Sequence, residues 1–231
     1  MSGTLARMTS GLPGLLLAGL GPAIVSGEYP AGTVLRTEEL ERSYRVSRTV
    51  AREALRVLES MRLVSSRRRV GITVRPRAEW NLYDPMVIRW RLACDDRVHQ
   101  LRSLTELRSA SEPVAAALAA RRATPEQAGH LTVLAVRLRS STHDLHEFLV
   151  HDIAFHRLVL AASGNEMFAQ LGDVVGEVLT ARTHLHLMPE RPHPEAVRLH
   201  AAVAEAIAAG DPDRAETAMR AIVTEVMSEL P

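Results

Sequence analysis

Acidic and histidine side chains in the second half of the sequence have the types and spacing to bind a metal ion. In "HDIAFHRLVL", Asp152 and His156 are four residues apart, so on a helix both project from one face and can bind one ion together. His151 is rotated away from them. His200, in "RLHAAVAEAI", belongs to a later helical segment, and an antiparallel neighbour could bring it to the same point. A hydrogen bond on a helix surface explains the same spacing, so the pattern alone leaves both interpretations open.

A run of arginines gives another part of the sequence the charge to bind a polyanion. The segment from Arg36 to Arg77 holds twelve arginines against five glutamates, a charge of +7 within a chain of net charge +1. Such a division of charge is typical of a polyanion-binding module joined to a domain with a different task. From Tyr44 to Arg75 the only aromatic residue is Tyr44, which argues against a single-strand binder that stacks bases on aromatic rings.

The elements that position these arginines form a helix-turn-helix with a wing. Thr37 is a plausible N-cap for the short helix "EELERSYR", and Ser47 is the next N-cap candidate. The apolar residues of "RTVAREALRVLESM" recur at three- and four-residue intervals, which predicts a second helix after the short turn "YRV". The stretch "LVSSRRRVGITVR" alternates β-branched residues around Gly71 like a small hairpin, so we expect a wing.

A recognition helix presents its N-terminal residues to base edges while phosphate contacts hold its register. Arg48 and Arg52 share one helix face, where their guanidinium groups could take guanine edges or phosphates. The wing arginines could enter a flanking minor groove. A solvated basic face on an ordinary helix pair is the alternative for any single arginine. The predicted DNA contacts from this region are Ser47, Arg48, Thr49, Arg52, Arg67, Arg68 and Arg69.

The remaining sequence divides into a linker and a helical bundle. Residues 77–97 contain both tryptophans, Trp80 and Trp90, which predicts a structured linker rather than a flexible one. We therefore assign residues 1–76 to the winged helix-turn-helix, 77–97 to the linker and 98–231 to an all-helical domain, giving a mainly α fold. Its predicted helices are Val98–Arg122, Pro125–Ser140, His143–Ala162, Glu166–Leu187, Glu195–Ala209 and Pro212–Leu230.

Composition and local patterns limit the cellular compartment and the class of enzymatic activity. One cysteine, Cys94, excludes an internal disulfide and suits a reducing cytoplasm. The apolar stretch "GLPGLLLAGLGPAIV" is interrupted by glycines and Pro22, which argues against a signal peptide, and we expect no membrane span. Pro22 should kink or shorten the first helix. No serine or cysteine lies in a nucleophile elbow, which argues against nucleophilic catalysis.

The N-terminal sequence resembles the winged helix of the GntR family of bacterial repressors. It carries a G-x-x-P-x-G turn in "GEYPAG", the pattern S-R-x-x-x-R-E-A-L in "SRTVAREAL", and a basic wing that ends in glycine. The resemblance implies that Arg36, Arg48, Thr49, Arg52 and the wing around Gly71 contact DNA. It also implies a homodimer that reads an inverted repeat in double-stranded operator DNA.

The C-terminal sequence resembles the FCD effector domain, an all-helical bundle that encloses a metal and a small carboxylate. The matching segments are "LRSASEPVAAALAA", with Arg108 and Glu112 in an R-x-x-x-E pattern, "HDIAFHRLVLAASGN" and "LHAAVAEAIAAGDPDRAETAM". By this resemblance, Asp152, His156 and His200 bind one divalent ion, zinc or else nickel or manganese. Many members supply a fourth histidine where this chain has Ile222. His184 or His186 could replace it.

The linker "WNLYDPMVIRW" is similar to that of the galactonate-operon-type branch, whose members answer to sugar acids. A sugar acid could chelate the ion through its carboxylate and α-hydroxyl while an arginine pairs with the carboxylate. Arg108 and Arg182 are the candidates, and either could instead hold a structural salt bridge. We thus expect a repressor released by a small carboxylate, with no enzymatic activity. A metal-dependent enzyme and a constitutive DNA-binding protein are the alternatives, because each explains one half of the chain.

Overall fold

The computed structural model of the chain describes residues 12–67, 71–184 and 191–228. It divides into two compact units, Met1–Arg97 and Val98–Pro231, with the linker segment in the first unit. Helices dominate both units, and a small sheet occurs in the first. The predicted fold class, mainly α with an N-terminal winged helix-turn-helix and a helical bundle, is confirmed.

Before the linker, the described part of the first unit combines three helices with a three-stranded antiparallel sheet of order β1-β3-β2. Strands β2 and β3 form the wing hairpin, in which Val64 is opposite Val74, and the short β1 pairs with the other edge of β3. The elements are α1 (Leu12–Ser26), β1 (Val34–Leu35), α2 (Thr37–Tyr44), α3 (Arg48–Ser60), β2 (Val64–Arg67) and β3 (Gly71–Val74).

Helix α3 begins where the sequence predicted, because the Ser47 side chain accepts a hydrogen bond from the Val50 N–H at 3.4 Å. The predicted Thr37 cap is wrong: Arg36 occupies the N-cap of α2, and its side chain makes no capping hydrogen bond. Helix α1 continues through Pro22 without ending there. Pro22 has no N–H to donate to the Ala18 carbonyl. Because Ala18 is exposed, water can donate a hydrogen bond to this carbonyl instead.

The linker segment packs onto the first unit. After a 3₁₀ turn at Arg77–Glu79, helix α4 (Pro85–Leu92) begins at Asp84, whose carboxylate accepts hydrogen bonds from the next helical N–H groups. The Trp80 indole N–H donates to the Arg75 carbonyl at 2.8 Å, and the Trp90 ring lies against Gly21 of α1. Both tryptophans therefore hold the linker to the winged helix-turn-helix.

Among the described residues of the second unit, all regular secondary structure is helical. The helices are α5 (Arg97–Arg122), α6 (Pro125–Ser140), α7 (Leu145–Ala162), α8 (Glu166–Gln170), α9 (Gly172–His184), α10 (Pro194–Ala209) and α11 (Pro212–Ser228). The predicted Glu166–Leu187 helix is corrected, because it breaks at Leu171 into α8 and α9, and Leu187 lies outside the described residues. Thr124 forms a capping box with Gln127, and Gly164 and Gly210 end helices with positive φ.

Helix α7 lies inside the bundle, with α6 and α9 packed against it and α10 packed on α6 and α11. Its apolar residues contribute to two buried clusters, one with α6, α10 and α11 and a smaller one with α9. Burial of apolar surface therefore fixes the helix that carries the Asp152–His156 pair. Among the described residues, no helix is long and apolar enough to cross a membrane.

Candidate metal centre and DNA-binding face

Helix α3 presents a basic face opposite its buried one. Its buried residues are Ala51, Ala54, Leu55, Val57 and Leu58. Ser47, Arg48, Thr49 and Arg52 are all exposed, and the exposed stripe continues to Arg56. Arg48 Nη2 lies 3.7 Å from Glu38 Oε1 of α2, and both side chains are mostly exposed. Such a pair is weak in water, so a phosphate or a base can displace the glutamate.

The wing is anchored to the same helix. The Glu59 carboxylate of α3 accepts a hydrogen bond from the Ser66 N–H of β2 at 2.9 Å. Gly71 opens β3 with φ 108°, and a Cβ there would lie 3.3 Å from a Val34 side-chain carbon. Only glycine adopts that conformation without strain. Of the predicted wing contacts, Arg67 ends β2, whereas Arg68 and Arg69 lie outside the described residues. Arg36 is exposed directly before α2.

In the bundle, the structure brings Asp152, His156 and His200 together from α7 and α10. Asp152 Oδ1 lies 3.0 Å from His200 Nε2 and 3.3 Å from His156 Nε2, and the two Nε2 atoms are 3.4 Å apart. All three residues are buried, and the Phe155 ring meets both imidazoles edge to face. The meeting of His200 with the Asp152–His156 pair, which the sequence left open, is therefore present.

An oxygen atom on the far side of each imidazole favours the tautomer with its proton on Nδ1. His200 Nδ1 donates to the Ala196 carbonyl at 2.6 Å. His156 Nδ1 lies 2.5 Å from Glu112 Oε2, although the angle departs from that of an ideal hydrogen bond. With a proton on each Nδ1, both Nε2 lone pairs point at the Asp152 carboxylate oxygen. Three facing lone pairs repel one another unless a cation lies between them, and metal-binding histidines show this outer arrangement.

The carboxylate behind His156 belongs to an ion pair. Arg108 Nε lies 2.5 Å from Glu112 Oε1, and both side chains are only 1% exposed. Arg108 Nη1 is also buried, and it has no hydrogen-bond partner within the described part of the chain. A network therefore runs from Arg108 through Glu112 to His156 and the candidate ion site.

Electrostatics also favour a cation at this point. Burial alone would lower the pKa of His156, but the Glu112 and Asp152 carboxylates raise it to about 9. Burial alone would raise the pKa of Glu112, but the Arg108 guanidinium lowers it to about 2. Burial alone would raise the pKa of Asp152, but the neighbouring His156 and His200 hold it well below its usual range. Without an ion, a proton on His156 takes the place of the cation.

The donor set fits a divalent ion of the transition series. An ion about 2.1 Å from each donor separates donors by roughly 3.0 Å in octahedral and roughly 3.4 Å in tetrahedral geometry. The observed separations span that interval. Two imidazoles and one carboxylate suit zinc, nickel, manganese or iron, and they leave positions open for water or a ligand.

The alternative positions for a fourth ligand are not part of this donor set. Ile222 is a buried residue of the apolar core, and His184 is exposed at the end of α9. Neither belongs to the metal-ligating group found among the described residues, and His186 lies outside them. Arg182 is buried in α9, which packs on α7.

Glu112 is the site residue that sequence reasoning missed. The R-x-x-x-E spacing places it on one helix face with Arg108, a signal that was visible in the sequence. Its contact with His156 joins two helices, and it therefore depends on the packing of α5 against α7.

Two family models match the chain. Residues 18–74 match "Bacterial regulatory proteins, gntR family", and residues 103–225 match "FCD domain". The FCD match alone covers more than half of the chain. The chain belongs to the GntR family. Proteins of this family are transcriptional regulators that bind operator DNA, not enzymes, and FCD domains can bind metal.

Individual relatives agree with this assignment. The chain is 31% identical over 201 residues to the galactonate operon transcriptional repressor of Escherichia coli (strain K12), covering 86% of this chain and 88% of the repressor. It is 29% identical to a probable D-xylose utilization operon transcriptional repressor of Paenarthrobacter nicotinovorans, covering 85% of this chain and 78% of that protein. The fold is similar to Streptococcus agalactiae GntR, with a TM-score of 0.52, 24% identity and coverage of 94% and 99% of the two chains.

Proposed function

We propose that this GntR regulator is a homodimeric repressor, and that a small carboxylate, most simply a sugar acid, releases it from an inverted-repeat operator. Residues 1–76 bind DNA, residues 77–97 connect the two domains, and residues 98–231 bind the effector and form the dimer. The protein acts in the cytoplasm, where its operator is. The observation that carries the proposal is the buried donor set of Asp152, His156 and His200 in a chain whose other unit is a winged helix.

The charge balance of the buried network favours an anionic effector. The Asp152 and Glu112 carboxylates carry two negative charges, whereas Arg108 and a divalent ion would carry three positive ones. One positive charge is then left in a buried site, and an unpaired buried charge is costly. A single carboxylate neutralises it. The ion would offer open coordination positions to a carboxylate and a neighbouring hydroxyl, a chemistry that sugar acids share.

The name of one relative supports the sugar-acid class, and the name of another concerns the utilization of a sugar. One represses a galactonate operon and the other is assigned to D-xylose utilization. For this chain we infer that the α-hydroxy carboxylate end binds at the ion and at Arg108 or Arg182. The donor set with its unpartnered Arg108 Nη1 supports this assignment.

A DNA-release titration tests the proposal. Duplexes that bind tightly are first selected from a random-sequence pool, and galactonate, xylonate, xylose and acetate are then titrated into the complex with and without a metal chelator. We expect release by a sugar acid, and loss of release with the chelator or with His156→Ala. A sugar acid that is consumed would instead indicate an enzyme. Operator affinity unchanged by every acid would indicate a constitutive DNA-binding protein, or an effector of another class.

A further inference from the structure

Two arginines of the N-terminal unit adopt a left-handed backbone conformation. They are Arg45, with φ 52°, and Arg62, with φ 60°, the only non-glycine residues with positive φ in the described part of the chain. Arg45 directly follows α2, and Arg62 follows the residue that caps α3. The Val46 N–H donates to the Glu41 carbonyl, and the Leu63 N–H donates to the Leu58 carbonyl. This closing pattern usually has glycine at the left-handed position, because a Cβ there approaches the backbone carbonyl.

Neither arginine side chain has a polar partner in the described part of the chain. Both are exposed, and among the described residues neither guanidinium makes a hydrogen bond or an ion pair. Glycine would satisfy the same turn without strain. Strain at an exposed residue whose side chain has no such partner points to a contact outside the chain.

The two positions differ in where they lie relative to the recognition helix. Arg45 lies in the turn before α3, three residues from Arg48, at the end that presents Ser47 and Thr49. Arg62 follows the opposite end, at the base of the wing. A helix of 13 residues is about 20 Å long, so the two arginines lie far apart, in different surroundings. In helix-turn-helix proteins the N-terminal end of the second helix meets DNA.

We propose that Arg45 is a further DNA-contacting residue, whose guanidinium binds a backbone phosphate beside the N-terminus of α3. The inference rests on the DNA-binding function proposed above. An arginine at this position adds a cation next to Arg48 at the edge of the groove, where the polyanion is closest. A phosphate contact carries no sequence information, so Arg45 supplies affinity and register while α3 reads the bases.

The test compares Arg45→Gly with Arg62→Gly in the full-length protein. Both changes relieve the left-handed strain, so each should raise the melting temperature by roughly 2–4 °C. Only Arg45→Gly should weaken binding to a mixed-sequence DNA duplex, by about fivefold, and reduce the slope of log affinity against log salt by about one. Arg45→Lys keeps the charge and the strain, and it should bind with nearly the wild-type affinity and slope.

Three results would overturn the inference. Equal affinity and salt slope in Arg45→Gly and wild type would show that Arg45 binds no phosphate. Equal losses in Arg45→Gly and Arg62→Gly would show a general effect of removing charge. A wild-type protein that binds no duplex in a salt-dependent manner would overturn the proposed DNA-binding function as well.

Discussion

At the scale of single residues, the chemistry of the bundle depends on a carboxylate that need not touch the ion. Glu112 lies between Arg108 and His156, and all three side chains are buried. Its negative charge holds the His156 proton on Nδ1 and leaves Nε2 for a metal. Carboxylates in this outer position orient histidine ligands and increase their basicity.

Replacing Glu112 with glutamine should therefore weaken metal binding by roughly 10- to 100-fold, because the amide carries no charge to polarise His156. Competition with a chelating dye measures the dissociation constant of zinc. Glu147→Gln is the matched control, since that exposed carboxylate lies 3.7 Å from His151, which is outside the donor set. Equal zinc affinity in Glu112→Gln and wild type would show that the Glu112 charge pairs with Arg108 and has no effect on His156 as a ligand.

The donor set was partly predictable at this scale. Spacing alone placed Asp152 and His156 on one face, because the period of a helix is fixed. No local pattern brings His200 to that face or Glu112 behind His156, since those contacts join helices that are distant in sequence. The sequence therefore indicated which side chains could bind an ion, while packing decides which of them meet.

At the scale of elements, helix α1 shows how small residues position large ones. A Cβ on Gly19 would lie 2.6 Å from a Tyr44 ring carbon, and a Cβ on Gly21 would lie 2.3 Å from a Trp90 ring carbon. Both distances are far below van der Waals contact. The two glycines therefore form the surfaces on which α2 and the linker helix α4 rest.

Gly21→Ala should destabilise the protein by about 1–3 kcal/mol, because Trp90 must move away from α1 and its ring cannot bend. Gly129→Ala is the matched control: it also replaces a helical glycine, but its Cβ would meet nothing within 4 Å. That change should stabilise the protein by up to about 1 kcal/mol, from helix propensity alone. Denaturant unfolding measures both changes, and Trp fluorescence reports the displacement. A stable Gly21→Ala protein with unchanged emission would contradict the packing.

Element boundaries were predictable where a local signal determines them. Ser47 and Thr124 start helices because their side chains satisfy free N–H groups. The break at Leu171 has a different origin. Arg157 of α7 donates to the Gly172 carbonyl at 3.2 Å and to the Asp173 carboxylate at 2.7 Å. A side chain fifteen residues away thus holds the N-terminus of α9, and no local pattern carries that information.

At the scale of the whole molecule, regulation requires an effector to bind two states of the protein with different affinities. An acid that binds both states equally would leave the DNA affinity unchanged, however tightly it binds. Typical coupling energies of about 1–3 kcal/mol correspond to a roughly 5- to 150-fold loss of operator affinity at saturating acid. By linkage, operator DNA must reduce the affinity for the acid by the same factor. Acid titrations with and without DNA check this equality.

The two candidate effector arginines can be separated by their effects on the metal. Arg108 pairs with Glu112, so Arg108→Gln should disturb His156 and lower zinc affinity together with the acid response. Arg182 is buried in α9, a helix that carries none of the three donors. Arg182→Gln should therefore keep its zinc and its operator affinity while losing release by acid. Mass spectrometry of bound zinc and DNA titration with acid measure these outcomes for each variant. If both variants release DNA at the wild-type acid concentration, the carboxylate binds at neither arginine, and the effector site lies elsewhere in the bundle.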